Sequence, residues 1–216
     1  MEKIIDALQQ WSDYQKTRPG SSFEDFCRYY LAGSKIKTVP QSIYKPGGPT
    51  DPDGMFMMTV ARCTLSFWVF MRIALRDTPL PTVEDVMLCS ALNSLGESRK
   101  TDLINHAMME ISTGTDNLNR LIKKGFVRQR TDPDDKRSKL LTLSPTGLTA
   151  LKQCFAKGTM AREIFLADMD DEDKKLVATI LHPLQEKNSK LSVANKGKSI
   201  EEIYSEVIGE RKKVKR

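Results

Sequence analysis

The apolar positions of this 216-residue chain recur mostly at helical spacing, with one short segment that alternates instead. This spacing predicts a first helix from about Ile4 to Tyr14, stopped by Arg18-Pro19-Gly20. A second runs through Tyr30 and is opened by Ser21-x-x-Glu24, a capping box. From Gly33 to Gly54 the pattern gives way to Pro40, Pro46, Gly47, Gly48, Pro49 and Pro52, the composition of a long loop or linker. A nearly continuous apolar run then extends from Met55 to about Arg76. It is long enough to raise the question of a membrane span, but Arg62 and Arg72 interrupt it and its polar face repeats at helical spacing, which predicts a buried helix of a soluble protein with no membrane association.

Thr78-Pro79-Leu80-Pro81 ends that helix, and Thr82, with Asp85 in the capping-box position, opens the next, to about Leu95. Two helices follow, Arg99 to Met109 and Thr113 to Lys124, with a very short break at Ile111-Ser112; so tight a pair is a helix-turn-helix candidate. Gly125 stops the second of them, and the period changes to two: Val127 leads in, Asp132-Pro133-Asp134-Asp135 turns, and Leu141 and Leu143 alternate on the way out. Ser144-Pro145 starts a helix reaching about Leu166, with proline tolerated in its first turn. Asp170 or Asp171 caps a further helix expected to break at His182-Pro183, and Ser199-x-x-Glu202 opens a last one before Arg211-Lys212-Lys213-Val214-Lys215-Arg216. The order predicts a mostly α protein with a small β-hairpin wing, divided into an N-terminal helical extension and loop (1–54), a winged helix-turn-helix core (55–189) and a basic tail (190–216).

Charge sharpens this picture. The formal net charge is +6, yet residues 120–139 alone carry eight basic side chains against three aspartates. The last seven residues add five more against one glutamate, so the remaining body is slightly acidic. Two basic foci on such a body suit a polyanionic partner. Enzyme classes are disfavoured, because there is no Gly-rich phosphate loop, no GxSxG and no HExxH. Cys27, Cys63, Cys89 and Cys154 lack CxxC spacing and only His106 and His182 could join them, so neither a metal nor another cofactor is expected. No signal-like apolar run opens the chain, and a reducing, cytoplasmic setting is the expectation.

A helix that enters the major groove of double-stranded DNA presents short polar side chains at its N-terminal end. Ser112, Thr113, Thr115, Asn117 and Asn119 supply them, with Arg120 beyond, while Leu118, Leu121 and Ile122 pack the other face. On periodicity alone a plain amphipathic surface helix is an equal reading; the basic hairpin directly after it tips the balance toward DNA. Arg137 at the hairpin tip is the candidate for a minor groove, with Asp135 expected to hold its guanidinium. Arg128, Arg130, Lys136 and Lys139 are suited to phosphates.

Leu121-x-x-x-Gly125-Phe126-Val127, then Asp132-Pro133-x-Asp135-x-Arg137, then Leu141-x-Leu143-Ser144-x-x-Gly147 resembles the MarR-type transcriptional regulators, with Ser144 in place of the usual threonine. The likeness extends more loosely from about Met55 to Asn188. It implies a bacterial homodimer joined by long flanking dimerisation helices, bound to a pseudo-palindromic operator and commonly a repressor released by a small aromatic or hydrophobic ligand or by oxidation. A ligand pocket would draw on Phe67, Trp68, Phe70, Met71, Met87 and Met108, although such a stripe is more often plain core. One branch of the family senses peroxide through a cysteine near its first helix; Cys63 lies in that region, but in an apolar run that favours an inert core thiol, as for Cys89 and Cys154. Two departures stand out: Asp116 would repel phosphate, and Gly114 lowers helix propensity at the end that should read bases. The alternative from another class is a winged-helix module for protein assembly, its wing only a solvated edge.

Overall fold

The structure, a computed structural model, describes residues 2–35, 48 and 51–214. They form two compact units, Met1–Thr59 and Val60–Arg216. In the first, helices α1 (Glu2–Thr17) and α2 (Phe23–Lys35) pair through aromatic side chains. Trp11 meets Phe23 edge-on at 5.5 Å, and buried Tyr14 lies 5.7 Å from buried Phe26. The box that opens α2 is Ser22 with Asp25, one residue later than expected: the Ser22 N–H bonds Asp25 Oδ2 at 3.0 Å and the Asp25 N–H bonds Ser22 Oγ at 3.1 Å. The Ser21 hydroxyl is occupied with the Arg18 carbonyl at 2.7 Å. Most of the expected 33–54 loop lies outside the described residues, and α3 begins at Pro52.

Helix α3 (Pro52–Leu75) departs from expectation, because only Leu75 is buried. Leu65, Val69 and Ile73, at i, i+4 and i+8, are 64%, 47% and 56% exposed. The helix is apolar on nearly every side, and among its described residues only Leu75 is buried. Among the described residues it alone is long and apolar enough, by length and composition, to span a membrane.

The second unit continues with α4 (Val83–Leu95), β1 (Ser98–Arg99), α5 (Lys100–His106), α6 (Ile111–Lys123), β2 (Val127–Thr131), β3 (Lys139–Leu143), α7 (Pro145–Phe165), α8 (Asp171–Ala194) and α9 (Ile200–Val214). The hairpin pairs in register from Val127↔Leu143 to Thr131↔Lys139, and β1 joins it through Ser98↔Leu141 and Arg99↔Leu140, giving the antiparallel order β1-β3-β2. The two residues of β1 are too few to show alternation, and no local pattern marks them. Leu88, Leu92, Leu103, Leu118, Leu121 and Leu151, each at most 1% exposed, make the core that seats α6.

The helix-turn-helix turn occupies 107–110, earlier than expected, and Ile111 and Ser112 already belong to α6. Met108 takes a left-handed φ of 53°, and the Met108 and Met109 N–H groups bond the Asn105 and Ile104 carbonyls, closing α5 as a glycine ordinarily would. Gly114 is buried against α5, where a Cβ would come within 2.7 Å of Ile104. The residue expected to weaken α6 is therefore what lets the two helices approach. Helix α8 runs unbroken through Pro183. One lost hydrogen bond among good helix formers such as Leu184, Gln185 and Glu186 does not stop it.

The wing is tied at its base. The Gly125 N–H bonds the Ile122 carbonyl and the Phe126 N–H bonds that of Leu121, ending α6. The Ser144 N–H donates to the Phe126 carbonyl at 2.9 Å, its hydroxyl to the Gly125 carbonyl at 2.7 Å, and Ser144 Oγ accepts the Gly147 N–H at 2.9 Å. A Cβ on Gly147 would stand 2.2 Å from the Phe126 oxygen, a backbone atom with no room to retreat. Gly147→Ala is therefore expected to destabilise the fold by at least ~1–3 kcal/mol in urea titration. Gly209→Ala, with nothing within 4 Å of the new methyl, should be neutral or stabilising; equal effects of the two would refute the tie at the wing base.

Candidate nucleic-acid interface

Helix α6 turns Gly114, Asn117, Leu118 and Leu121 inward. Ser112, Thr113, Asp116, Asn119, Arg120 and Lys123 are exposed and Thr115 is half-buried. Asn117, expected at the base edges, is only 8% exposed, since it shares the face of Leu121 rather than of Asn119. No side chain caps the first turn of α6, so its N–H groups keep their capacity for an anion.

Arg120 is exposed in its outer half, yet its Nη2 lies 2.7 Å from Asp85 Oδ1, and that carboxylate is almost wholly buried. Asp85 thus completes only half of the expected capping box: its N–H bonds Thr82 Oγ1 at 3.2 Å, while its side chain turns to α6. Arg130 is paired in the same way, through both ends of its guanidinium to the Glu97 carboxylate. Each of these arginines therefore has a structural partner, which the charge count alone could not show.

The tip is folded by its aspartates. Asp132 Oδ1 accepts the Asp134 N–H at 3.0 Å, and Oδ2 accepts Nε and Nη2 of Arg99 at 2.9 and 2.7 Å. Asp135 accepts the Ser138 hydroxyl at 2.7 Å and the backbone N–H of Arg137 at 3.1 Å. Asp135 thus holds the backbone beneath Arg137 and leaves the guanidinium outward, unlike the expected charge-assisted bond. Lys139 Nζ bonds Thr131 Oγ1 across the strands at 2.8 Å. Arg128, Lys136 and Arg137 are exposed and have no ion-pair partner among the described residues. Sequence reasoning missed Arg99, Glu97 and Asp132 as the wing's supports, because their pairings cross more than thirty residues.

Phe67, Trp68, Met71, Met87 and Met108 line one cavity of about 500 Å³ between α3, α4, α7 and the helix-turn-helix turn, together with Ser90, Ser94 and His106. Phe70 faces away from it, onto a groove with Ile73, Met160 and Ile164. Cys63 is exposed on α3 rather than in the core. Cys89 is buried, and desolvation, then the charges of Asp85 and Cys154, push its thiol up to about 12, which keeps it protonated and unreactive.

Residues 86–139 match the sequence profile of the MarR family. No curated protein matches the chain in sequence. Among solved structures, Bordetella bronchiseptica BpsR, whose DNA binding is described as regulated by 6-hydroxynicotinic acid, shares 17% identity at a TM-score of 0.57 and covers 64% of this chain and 98% of its own. A probable transcriptional regulator from Pseudomonas aeruginosa shares 20% at 0.55, covering 62% and 99%. A mutant of MarR from E. coli shares 18% at 0.52, covering 59% and 94%. The fold is that of MarR-family transcriptional regulators.

The Asp134 N–H first and the Arg99 guanidinium second hold the Asp132 carboxyl below the ordinary carboxylate range, and the Ser138 hydroxyl does the same for Asp135. A carboxyl lowered in the folded state contributes stability above its unfolded value and loses it as pH falls through the lower folded value. The stability gap between the parent and Asp132→Asn should accordingly be constant near neutrality and close on acidification below the usual carboxylate range. Chemical denaturation at stepped pH measures it; a gap independent of pH would refute the assignment.

Proposed function

We propose that this chain, with its MarR-type segment at 86–139, is a sequence-specific regulator of transcription, acting as a homodimeric repressor on an inverted repeat in double-stranded DNA. The observation that carries this reading is the chemistry left facing outward at the wing. Asp132 and Asp135 are consumed by the turn itself, while Lys136 and Arg137 stay exposed beside it. With Asp132 neutralised by Arg99, the exposed Lys136, Arg137 and Lys139 stand against Asp134 and Asp135, a small excess of positive charge directly after a helix whose N-terminal turn is open.

In this reading Ser112, Thr113, Thr115 and Asn119 meet base edges. Arg128, Lys136 and Lys139 meet phosphates, and Arg137 enters the minor groove. Asn117, Arg120, Arg130 and Asp135 support that surface from behind. A second copy covers the apolar groove of Phe70, Ile73, Met160 and Ile164, of which Ile73, Met160 and Ile164 are 56%, 56% and 60% exposed, an arrangement that marks an association surface.

Selection from genomic fragments at physiological salt should recover a short inverted repeat bound by two chains. Arg137→Ala should weaken it by roughly 1–3 kcal/mol while leaving stability unchanged. Arg120→Ala should instead lower stability by roughly 1–3 kcal/mol, because it strands the Asp85 carboxylate. Unrelated fragments bound with equal weak affinity would favour the protein-assembly reading.

The cavity is the effector site in this proposal, and its lining sets the ligand class. Among the described residues no lysine or arginine faces it, and His106 is the one lining side chain able to carry positive charge, so a buried carboxylate would be poorly compensated there. Its occupant is a neutral aromatic molecule, held by Phe67, Trp68 and three methionines, with Ser90, Ser94 and His106 for its polar edge. Calorimetry with benzamide and benzoate as a matched pair should show tighter binding of the amide. Equal or stronger binding of benzoate would overturn the neutral class.

A further inference from the structure

Helix α8 spans 24 residues, none of them buried. At its C-terminal end the chain becomes anchored again. Asn195 is 8% exposed, with its N–H and Nδ2 both on the Leu191 carbonyl at 3.1 and 2.8 Å, and Gly197, with φ +88°, reverses the chain toward α9. Between them stands Lys196. Its Nζ reaches back to the helix-turn-helix, donating to Asn105 Oδ1 at 2.7 Å and to the Met109 carbonyl at 3.2 Å. Asn105 is in the last turn of α5, and Met109 lies two residues before α6 begins.

The turn so gripped is short and strained. Met108 occupies its left-handed position without being glycine, at an energetic cost that surrounding contacts must offset. Met109 is 9% exposed and anchors the turn from the core, while no side chain caps α6 at Glu110. Lys196 supplies the outer hold: a cation on the orphan end of α5, bonded to the carbonyl that leads into α6. Both bonds cross more than 85 residues of sequence, so they tie the far end of α8 to the start of the reading helix.

We propose that Lys196 is a positioning residue for α6: the junction of α8 and α9 sets the angle at which that helix leaves the turn, and hence its fit to DNA. The inference rests on the DNA-binding reading above. An exposed hydrogen bond contributes little to global stability, so the substitutions that test it should leave the protein folded.

The experiment compares parent, Lys196→Met, Asn105→Ala and the double variant in the full chain, on the selected operator and on random duplex across a salt series. Lys196→Met and Asn105→Ala should each weaken operator binding about three- to tenfold, the double variant no further, with random-duplex affinity and salt slope unchanged. A slope lowered by about one, with operator and random duplex weakened alike, would make Lys196 a phosphate contact and overturn the proposal. Parental operator affinity in Lys196→Met would overturn it too. Hydrogen exchange without DNA separates this from the broader reading: amides of Met109 to Thr113 should exchange faster in Lys196→Met. Unchanged exchange refutes the grip even if the parent binds no operator, whereas faster exchange with no operator binding by the parent refutes only the DNA reading.

Discussion

Two buried carboxylates, each needing a cation, constrain the placement of α6 and the wing. Asp85 and Asp132 are 1% and 3% exposed, and each is met by one arginine that keeps its outer half in solvent, Arg120 and Arg99. A carboxylate withdrawn from water without such a partner is costly, so α4 cannot move from α6, nor the wing tip from β1, without stranding a charge. These bonds fix the direction of α6 and the wing tip more firmly than apolar contact alone, because packing is tolerant of small rotations and a paired carboxylate is not. Their side effect is selective: they withdraw Arg99 and Arg120 from the outward charge and leave Arg128, Lys136 and Arg137 to define it.

The same economy appears at the wing base. Gly125, Phe126, Ser144 and Gly147 close on one another through backbone and hydroxyl hydrogen bonds with no space for a Cβ at 147. The hairpin therefore leaves the core as a rigid arm, and its flexible chemistry is confined to side chains at the tip. The cavity beside the helix-turn-helix shares a wall with the turn itself, through His106, Ala107 and Met108. The left-handed Met108 thus lines the cavity, and Lys196 bonds Asn105 and Met109 of the same turn.

The exposed face of α3 follows from a different rule. Its composition is that of a core helix, yet among the described residues Leu65, Val69 and Ile73 stay largely exposed. Apolar periodicity reports that a face needs burying; it carries no information on whether the cover comes from the same chain. The exposed thiol of Cys63 lies on the same helix.

By itself the sequence determined the order of the helices, the hairpin, the helix stop at Gly125, the helix start at Ser144-Pro145, and the MarR-type signature, because each rests on neighbours within a few residues. The side chains that gather at the cavity were also nameable, since an apolar stripe narrows the choice, although Phe70 fell on the other side of α3. Only the tertiary structure decided which polar residues are free. Arg120, Arg130, Asn117 and Asp135 look unattached in one dimension and are paired or buried in three, since their partners or burial depend on how segments cross. Gly114 inverted its meaning for the same reason: helix propensity is a local quantity, whereas the 2.7 Å approach to Ile104 exists only once α5 lies against α6. Strand β1 and the grip of Lys196 had no local signal at all, because a two-residue ladder and a lysine on a distant turn acquire meaning only from the backbone they meet.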